Sequence, residues 1–142
     1  MVPSAYVHIP FCDSICAYCD FVRIQKNESF FSSWKEKLIQ EIQEYKIESL
    51  HTLYFGGGTP SLLSVDDFAS IRNCFPTDIE EFTVECNPES LDEDKLNAYV
   101  ALGVNRISLG VQSFKDDLLK VCHRTHTASQ AISVIENIKK SS

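Results

Sequence analysis

Three cysteines near the start of the chain constrain its chemistry more than any other feature. They are Cys12, Cys16 and Cys19, spaced Cys-x3-Cys-x2-Cys on a short loop that follows a strand-like run. Thiolates this close in sequence can converge on one metal centre, and soft sulfur ligands select zinc, copper(I) or iron–sulfur clusters. A zinc site needs a fourth ligand, for which His8 is the candidate. A four-iron cluster on three cysteines keeps one iron open to a small molecule. Three core cysteines are the least favoured alternative, because buried free cysteines follow no such spacing.

The residues around the cysteines carry a family resemblance. The pattern Tyr-x-His-x-Pro-Phe-Cys-x3-Cys-x-Tyr-Cys begins at Tyr6. It resembles the opening of the oxygen-independent coproporphyrinogen III oxidase family of radical S-adenosylmethionine (SAM) proteins. The resemblance implies that Cys12, Cys16 and Cys19 bind a [4Fe-4S] cluster and that SAM chelates the open iron. It covers nearly the whole chain, but only the first part of the family's length.

Further motifs resemble the SAM contacts of that family. The Gly-Gly-Gly-Thr-Pro run at residues 56–60 is similar to the segment that holds the SAM amino group, and glycines let backbone N–H groups approach a ligand closely. The Glu-Cys-Asn-Pro run is similar to the Glu-x-Asn-Pro that binds the ribose hydroxyls. An arginine suits the SAM carboxylate, because its fork matches two oxygens. The SAM contacts implied in this way are Tyr6, Tyr18, Gly57, Gly58, Thr59, Glu85, Gln112 and Arg124.

Two departures from the oxidase pattern indicate a branch of the family. The oxidases proper have a further cysteine where this chain has Phe21, and an extension precedes their Tyr-x-His motif, which here begins at residue 6. Both features resemble the haem chaperone branch, so a haem chaperone-like role in porphyrin and haem metabolism is expected. Two alternatives stay open: a genuine coproporphyrinogen III oxidative decarboxylase, and a zinc-binding structural module.

The resemblance also implies partners. Full-length relatives cleave SAM in oxidoreductase-like chemistry, with an electron from a donor such as flavodoxin or ferredoxin. A porphyrinogen or haem is the expected larger ligand. His123 and His126 are candidate haem ligands or general acids, but loop histidines are more often solvated, and this is the expectation here.

Composition excludes several classes of protein. The chain has 142 residues and a net charge of −7, which gives no support for nucleic-acid binding. No apolar run approaches the ~20 residues of a membrane helix, and no secretory signal precedes the cysteines. Six cysteines without a secretory signal indicate metal ligands plus free thiols rather than a disulfide framework, and a cytoplasmic location.

The rest of the sequence predicts alternating strands and helices. Strands are predicted at residues 6–9, 52–55, 82–87 and 104–112, and an apolar stripe predicts a helix over residues 28–46. Helix caps are predicted at Ser64, Ser90, Ser113 and Thr127.

This order predicts an α/β fold with parallel strands joined by helical crossovers. The third and fourth strands each carry a polar face, with Glu85 on one and Gln112 on the other, which predicts a cavity at the sheet. With the resemblance, this indicates a partial (β/α) barrel of the radical SAM type.

Such a barrel has about six βα units, against eight in a closed barrel, and this chain supplies four predicted strands. Residues 1–142 are expected to be the N-terminal portion of the radical SAM core, lacking the later strands and the C-terminal domain, and inactive alone on a porphyrinogen.

Overall fold

Strands and helices alternate along the chain. The computed structural model describes residues 4–141, so residues 1–3 and 142 of the expected domain lie outside the described residues. The strands are β1 (Ser4–Ile9), β2 (Phe11–Cys12), β3 (Ile24–Gln25), β4 (Thr52–Gly57), β5 (Glu81–Cys86) and β6 (Arg106–Leu109). The helices are α1 (Glu28–Glu44), α2 (Val65–Arg72), α3 (Glu93–Ala101), α4 (Asp116–Val121) and α5 (Ala128–Lys140). Two 3-10 turns lie at Pro60–Leu62 and Pro88–Ser90.

Four of the strands form one parallel sheet in the order β1-β4-β5-β6. A parallel neighbour requires a long crossover, and α1, α2 and α3 lie in the three connections. The predicted α/β fold with four parallel strands is confirmed. The two-residue strands β2 and β3, which the sequence did not predict, form a separate parallel pair.

One face of the sheet is apolar, and helices cover it. Phe55 and Phe82, on neighbouring strands, have ring centroids 5.0 Å apart. Phe68 of α2 stacks on Tyr99 of α3 at 4.2 Å. All four side chains are fully buried. Burying a large apolar side chain contributes about 2–3 kcal/mol, so this aromatic layer holds the helices against the sheet.

The opposite face of the sheet carries polar side chains. The hydroxyl of Tyr54 on β4 donates to Glu85 Oε1 on β5 over 2.7 Å. Glu85 in turn is in register with Ser108 on β6. Glu85 and Ser108 both line a cavity, which confirms the prediction that the polar face borders one.

The element ends differ from prediction in places. Ser64 and Thr127 cap α2 and α5 as predicted, each accepting a hydrogen bond from the backbone N–H three residues on. Ser90 does not cap α3, which begins after Asp92, because the Ser90 hydroxyl is bonded instead to the first 3-10 turn. The cap predicted at Ser113 is also wrong, since α4 begins three residues later without a side-chain cap. Helix α1 ends two residues before the predicted boundary of 46.

The fourth sheet strand is shorter than predicted. β6 ends at Leu109, although Gly110 N still donates to Cys86 O over 2.8 Å. Gln112 has a φ of 65°, a left-handed conformation that no strand residue adopts. Gln112 therefore lies in a turn beyond β6 and not on the strand face.

No helix within residues 4–141 is both long and apolar enough to cross a bilayer.

Candidate functional site

The cysteine loop is closed at its base by the small β2–β3 pair. Ile24 N donates to Pro10 O over 2.7 Å, and Lys26 N donates to Cys12 O over 3.0 Å. Cys12 therefore lies at a fixed point and is 7% exposed, whereas Cys16 and Cys19 on the loop itself are half-buried. Burial raises the pKa of the Cys12 thiol, although a hydrogen bond from Thr59 opposes the shift.

The glycine-rich turn packs directly on this base. Gly58 N donates to Ile9 O over 2.7 Å, and Thr59 N donates to Phe11 O over 2.8 Å. A Cβ atom on Gly58 would lie 2.6 Å from Phe11 O, closer than any side chain tolerates. Gly57 has a φ of 114°, which favours glycine. These glycines therefore allow two backbone segments to touch. The N–H groups of Gly57 and Gly58 donate hydrogen bonds to Glu85 and Ile9 of the chain itself. The sequence analysis had expected backbone N–H groups of this turn to approach a ligand directly.

Glu85 is held from two sides on the polar face of β5. Its Oε2 accepts from Gly57 N over 3.0 Å, while Oε1 accepts from the hydroxyl of Tyr54. Burial, and then the hydrogen bond to Glu85, raise the pKa of Tyr54, which therefore stays a hydrogen-bond donor. A half-buried carboxylate fixed in this way can accept hydrogen bonds from a ligand hydroxyl at its remaining lone pairs.

Tyr6 and His8 form a separate chain of hydrogen bonds. The Tyr6 hydroxyl lies 3.1 Å from His8 Nδ1, and His8 Nε2 lies 2.8 Å from Val22 O. The carbonyl can only accept, so Nε2 carries the proton and Nδ1 accepts from Tyr6. Both nitrogens of His8 are engaged, which leaves it without a lone pair for the fourth ligand of a zinc site. Tyr6 does not line the cavity that holds the other predicted contacts.

Arg124 reaches the cysteine loop from beyond β6. Its Nη1 donates to Cys16 Sγ over 3.5 Å, and Nη2 donates to Gly110 O over 3.0 Å. Glu89 pairs with the same guanidinium at 3.5 Å. Burial opposes the charge, but the Glu89 carboxylate, Cys16 and Tyr18 together outweigh burial and raise the pKa of Arg124. The site thus holds a permanent cation beside a cysteine sulfur.

His126 is a correction to the sequence analysis. It is 3% exposed and not solvated. Its Nε2 lies 3.0 Å from Val111 O, and its Nδ1 lies 3.2 Å from Glu89 Oε2. With both nitrogens engaged, His126 is not available as a haem ligand. His123 is exposed, as expected, with a φ of 57° at the end of α4.

One cavity of about 390 Å³ gathers these groups. All of the predicted site residues except Tyr6 line it: Cys12, Cys16, Tyr18, Cys19, Gly57, Gly58, Thr59, Glu85, Gln112 and Arg124. Asn87, Ser108 and Gly110 also line it, as expected of the polar strand faces, although none was predicted as a SAM contact. Arg23 and Glu89 line it as well and were missed. Nothing in the local sequence indicates Arg23 or Glu89.

The donor set fits an iron–sulfur cluster better than a closed zinc site. Within residues 4–141, no three His, Cys, Asp or Glu side chains stand in ready-made metal-binding geometry. The cavity nevertheless presents three thiols from one loop, with no histidine among its lining residues, and Cys86, the fourth cysteine of the lining, is buried on β5 with its pKa raised by burial to about 12. Soft sulfur donors with an open fourth position are the ligands expected of a cluster that also binds a small molecule.

Comparison with known proteins gives close relatives. Residues 6–142 match the Radical SAM superfamily. The heme chaperone HemW of Lactococcus lactis is 44% identical over 142 residues, which cover 96% of this chain and 38% of that protein. Anaerobilin synthase of Escherichia coli O157:H7 is 35% identical over 146 residues, which cover 95% of this chain and 33% of that protein.

A solved structure shares the fold. Coproporphyrinogen III oxidase (HemN) from Escherichia coli, a radical SAM enzyme, superposes with a TM-score of 0.84 at 23% identity, over 98% of this chain and 34% of that one. The four parallel strands and their helices are thus a partial barrel of the radical SAM type. The chain spans about two fifths or less of the length of these relatives. By its sequence match and its fold, this chain belongs to the radical SAM superfamily.

Proposed function

We propose that the chain binds a [4Fe-4S] cluster through Cys12, Cys16 and Cys19 and binds SAM in the adjoining cavity. The observation that carries this proposal is that the three thiols and every predicted SAM contact except Tyr6 line one cavity of about 390 Å³. Residues 1–142 would then be the N-terminal portion of a radical SAM core.

Each group has a role that follows from its chemistry. When bound and reduced, the cluster would supply the electron that cleaves SAM. An outside donor such as a flavodoxin or ferredoxin would pass that electron to the cluster. Glu85 accepts hydrogen bonds from the ribose hydroxyls, because an ionised carboxylate only accepts. Arg124 binds the SAM carboxylate, because its planar fork matches two oxygens. The cavity walls exclude water from the reacting atoms.

We further propose a haem chaperone-like role in the cytoplasm for the protein that contains this core. One support is the 44% identity to a heme chaperone. The other is Phe21, which stands at the position where the oxidases proper have a further cysteine. Haem or a porphyrin is the proposed larger partner. The alternative function is oxidative decarboxylation of coproporphyrinogen III. We test it because the fold is like that of HemN, a coproporphyrinogen III oxidase.

Anaerobic reconstitution followed by iron, sulfide and zinc analysis tests the metal site. We expect about four irons and four sulfides per chain. Cys16→Ser should abolish both, while Cys74→Ser should not, because Cys74 is half-buried on α2's C-terminal turn and does not line the cavity. Stoichiometric zinc without sulfide contradicts the proposal.

Two assays separate the chaperone from the oxidase, the first on the reconstituted chain and the second on the protein that contains this core, because the chain alone is expected to be inactive on a porphyrinogen. Haem titration followed by absorption spectroscopy should show a saturable complex if the chain contributes to a haem chaperone. Incubation with dithionite, SAM and coproporphyrinogen III should leave the substrate unchanged. Appearance of protoporphyrinogen identifies the oxidase alternative.

A further inference from the structure

Two buried ionisable side chains, those of Arg124 and His126, lie behind Cys16 with the partly exposed Glu89 between them. Arg124 and His126 have side chains that are 5% and 0% exposed, and Glu89 between them is 27% exposed. Neither Glu89 nor His126 has a role in the site proposed above. Charged groups at this depth are costly unless paired, so their arrangement requires an explanation.

Glu89 bridges the other two side chains. Its Oε1 lies 3.5 Å from Arg124 Nη2, and its Oε2 lies 3.2 Å from His126 Nδ1. His126 is fixed in turn by Val111 O, 3.0 Å from its Nε2. Nδ1 also lies 3.5 Å from Arg124 Nη2, so the ring contacts both members of the ion pair and cannot turn without losing a contact.

The guanidinium of Arg124 is anchored mainly through Nη2. Nη2 donates to Gly110 O and faces both Glu89 and Nδ1 of His126, whereas Nη1 donates to the sulfur of Cys16 over 3.5 Å. Nε is buried and has no hydrogen-bond partner among the described residues. Nη1 is therefore directed at the cysteine loop, and Nε keeps a buried N–H for which the described residues supply no acceptor.

We propose that Glu89 and His126 are positioning residues for Arg124. They hold its guanidinium against Cys16, so that Nη1 and the unpartnered Nε–H are fixed in place before the cluster and SAM bind. This inference rests on the proposed function. An unrestrained arginine carries about 2 kcal/mol of rotamer entropy, which would otherwise be lost on binding. Partners behind a ligating group commonly change affinity by about 10–100-fold when they are removed.

A merely structural ion pair would give the same contacts, so the test needs a readout of Arg124 itself. Glu89→Gln keeps the shape of the side chain and removes its charge, and His126→Phe keeps the ring and removes both nitrogens. Glu80→Gln and His51→Phe are the matched controls. His51 and Glu80 form an exposed pair whose nitrogen–oxygen distance of 3.1 Å is close to the 3.2 Å between His126 and Glu89, and neither residue lines the cavity.

Two measurements decide the proposal. NMR of the unreconstituted chain follows the Arg124 Nε–H signal, which is buried and should exchange slowly with water in the parent and in both controls. Glu89→Gln and His126→Phe should abolish this protection. Calorimetry on the reconstituted chain should then show SAM binding about tenfold weaker in these two variants and unchanged in the controls.

Each result has a defined meaning. Protection and SAM affinity equal to the parent in Glu89→Gln overturn the proposal, and so does lost protection with unchanged SAM affinity, because the pair is then only structural. Glu89→Gln carries the decision alone if His126→Phe does not fold. A parent chain that takes up no cluster, or no SAM, overturns the proposed function, and the NMR result still decides whether Glu89 and His126 fix Arg124.

Discussion

The hydroxyl of Thr59 donates to the sulfur of Cys12 over 3.7 Å. This contact joins the glycine-rich turn to the cysteine loop, although 47 residues separate the two in sequence. Asn87 extends the link, because its Nδ2 donates to Thr59 Oγ1 over 3.3 Å. The two motifs and the end of β5 thus form one hydrogen-bonded unit at the edge of the sheet.

Substitution of Gly58 should disrupt this unit by steric clash. A Cβ atom there meets the backbone of Phe11 at 2.6 Å, whereas a Cβ atom on Gly56 meets mainly the side chain of Tyr54, at 2.7 Å. A side chain can rotate away and a backbone cannot. We expect Gly58→Ala to lower the free energy of unfolding by about 1–3 kcal/mol, and Gly56→Ala by less. Urea unfolding measures both, and a Gly58→Ala chain as stable as the parent contradicts the packing described here.

Loss of the Glu85 charge should weaken SAM binding. Hydrogen bonds to charged groups contribute about 1.5–3 kcal/mol, so Glu85→Gln should lower the affinity by roughly tenfold or more. The matched control is Glu81→Gln on the same strand, where Glu81 pairs with Arg106 at 2.9 Å and does not line the cavity. Calorimetry on reconstituted protein compares the two. Equal affinities in both variants would remove Glu85 from the site.

Asp67 should make stability depend on pH. Burial opposes its ionisation, but Lys35 at 2.6 Å and the hydroxyl of Ser64 outweigh burial and hold the pKa of the carboxyl below its usual value. A depressed native pKa contributes stability above the unfolded value of about 4, and this is lost as the pH falls through the native pKa. Asp67→Asn should therefore cost about 1–2 kcal/mol at pH 7 and little at pH 2. Asp66→Asn, next to it and exposed, is the control. A cost that is the same at both pH values refutes the ionic explanation.

Local motifs identified residues that the fold brings to one cavity. The three cysteines and Glu85 sit in such motifs and all line that cavity, while their roles as ligands stay predictions. The pairing of Glu89 with His126 was not predicted, because the two lie 37 residues apart and only the fold brings their side chains together. The length of β6 was overestimated for a similar reason, since the alternating pattern continues through residues that turn away from the sheet.

Tyr99 offers a test of the core that is independent of the site. Its hydroxyl is buried without a hydrogen-bond partner among the described residues, and burial raises its pKa. Removing an unsatisfied buried hydroxyl should raise stability, so Tyr99→Phe should increase the free energy of unfolding by about 1 kcal/mol. Tyr54→Phe is the contrast, because it removes a hydroxyl that is bonded to Glu85. Thermal unfolding in which Tyr99→Phe is the less stable of the two contradicts this packing.

The most direct test of the central claim is a Mössbauer spectrum of the reconstituted chain labelled with ⁵⁷Fe, recorded with and without SAM. Three cysteine ligands leave one iron of a [4Fe-4S] cluster without a protein ligand. We therefore expect one iron in four to change its isomer shift when SAM is added, and no cluster signal in Cys16→Ser. Four irons that SAM leaves unchanged, or a cluster retained in Cys16→Ser, would contradict the assignment of Cys12, Cys16 and Cys19 as the ligands of a cluster with one open iron.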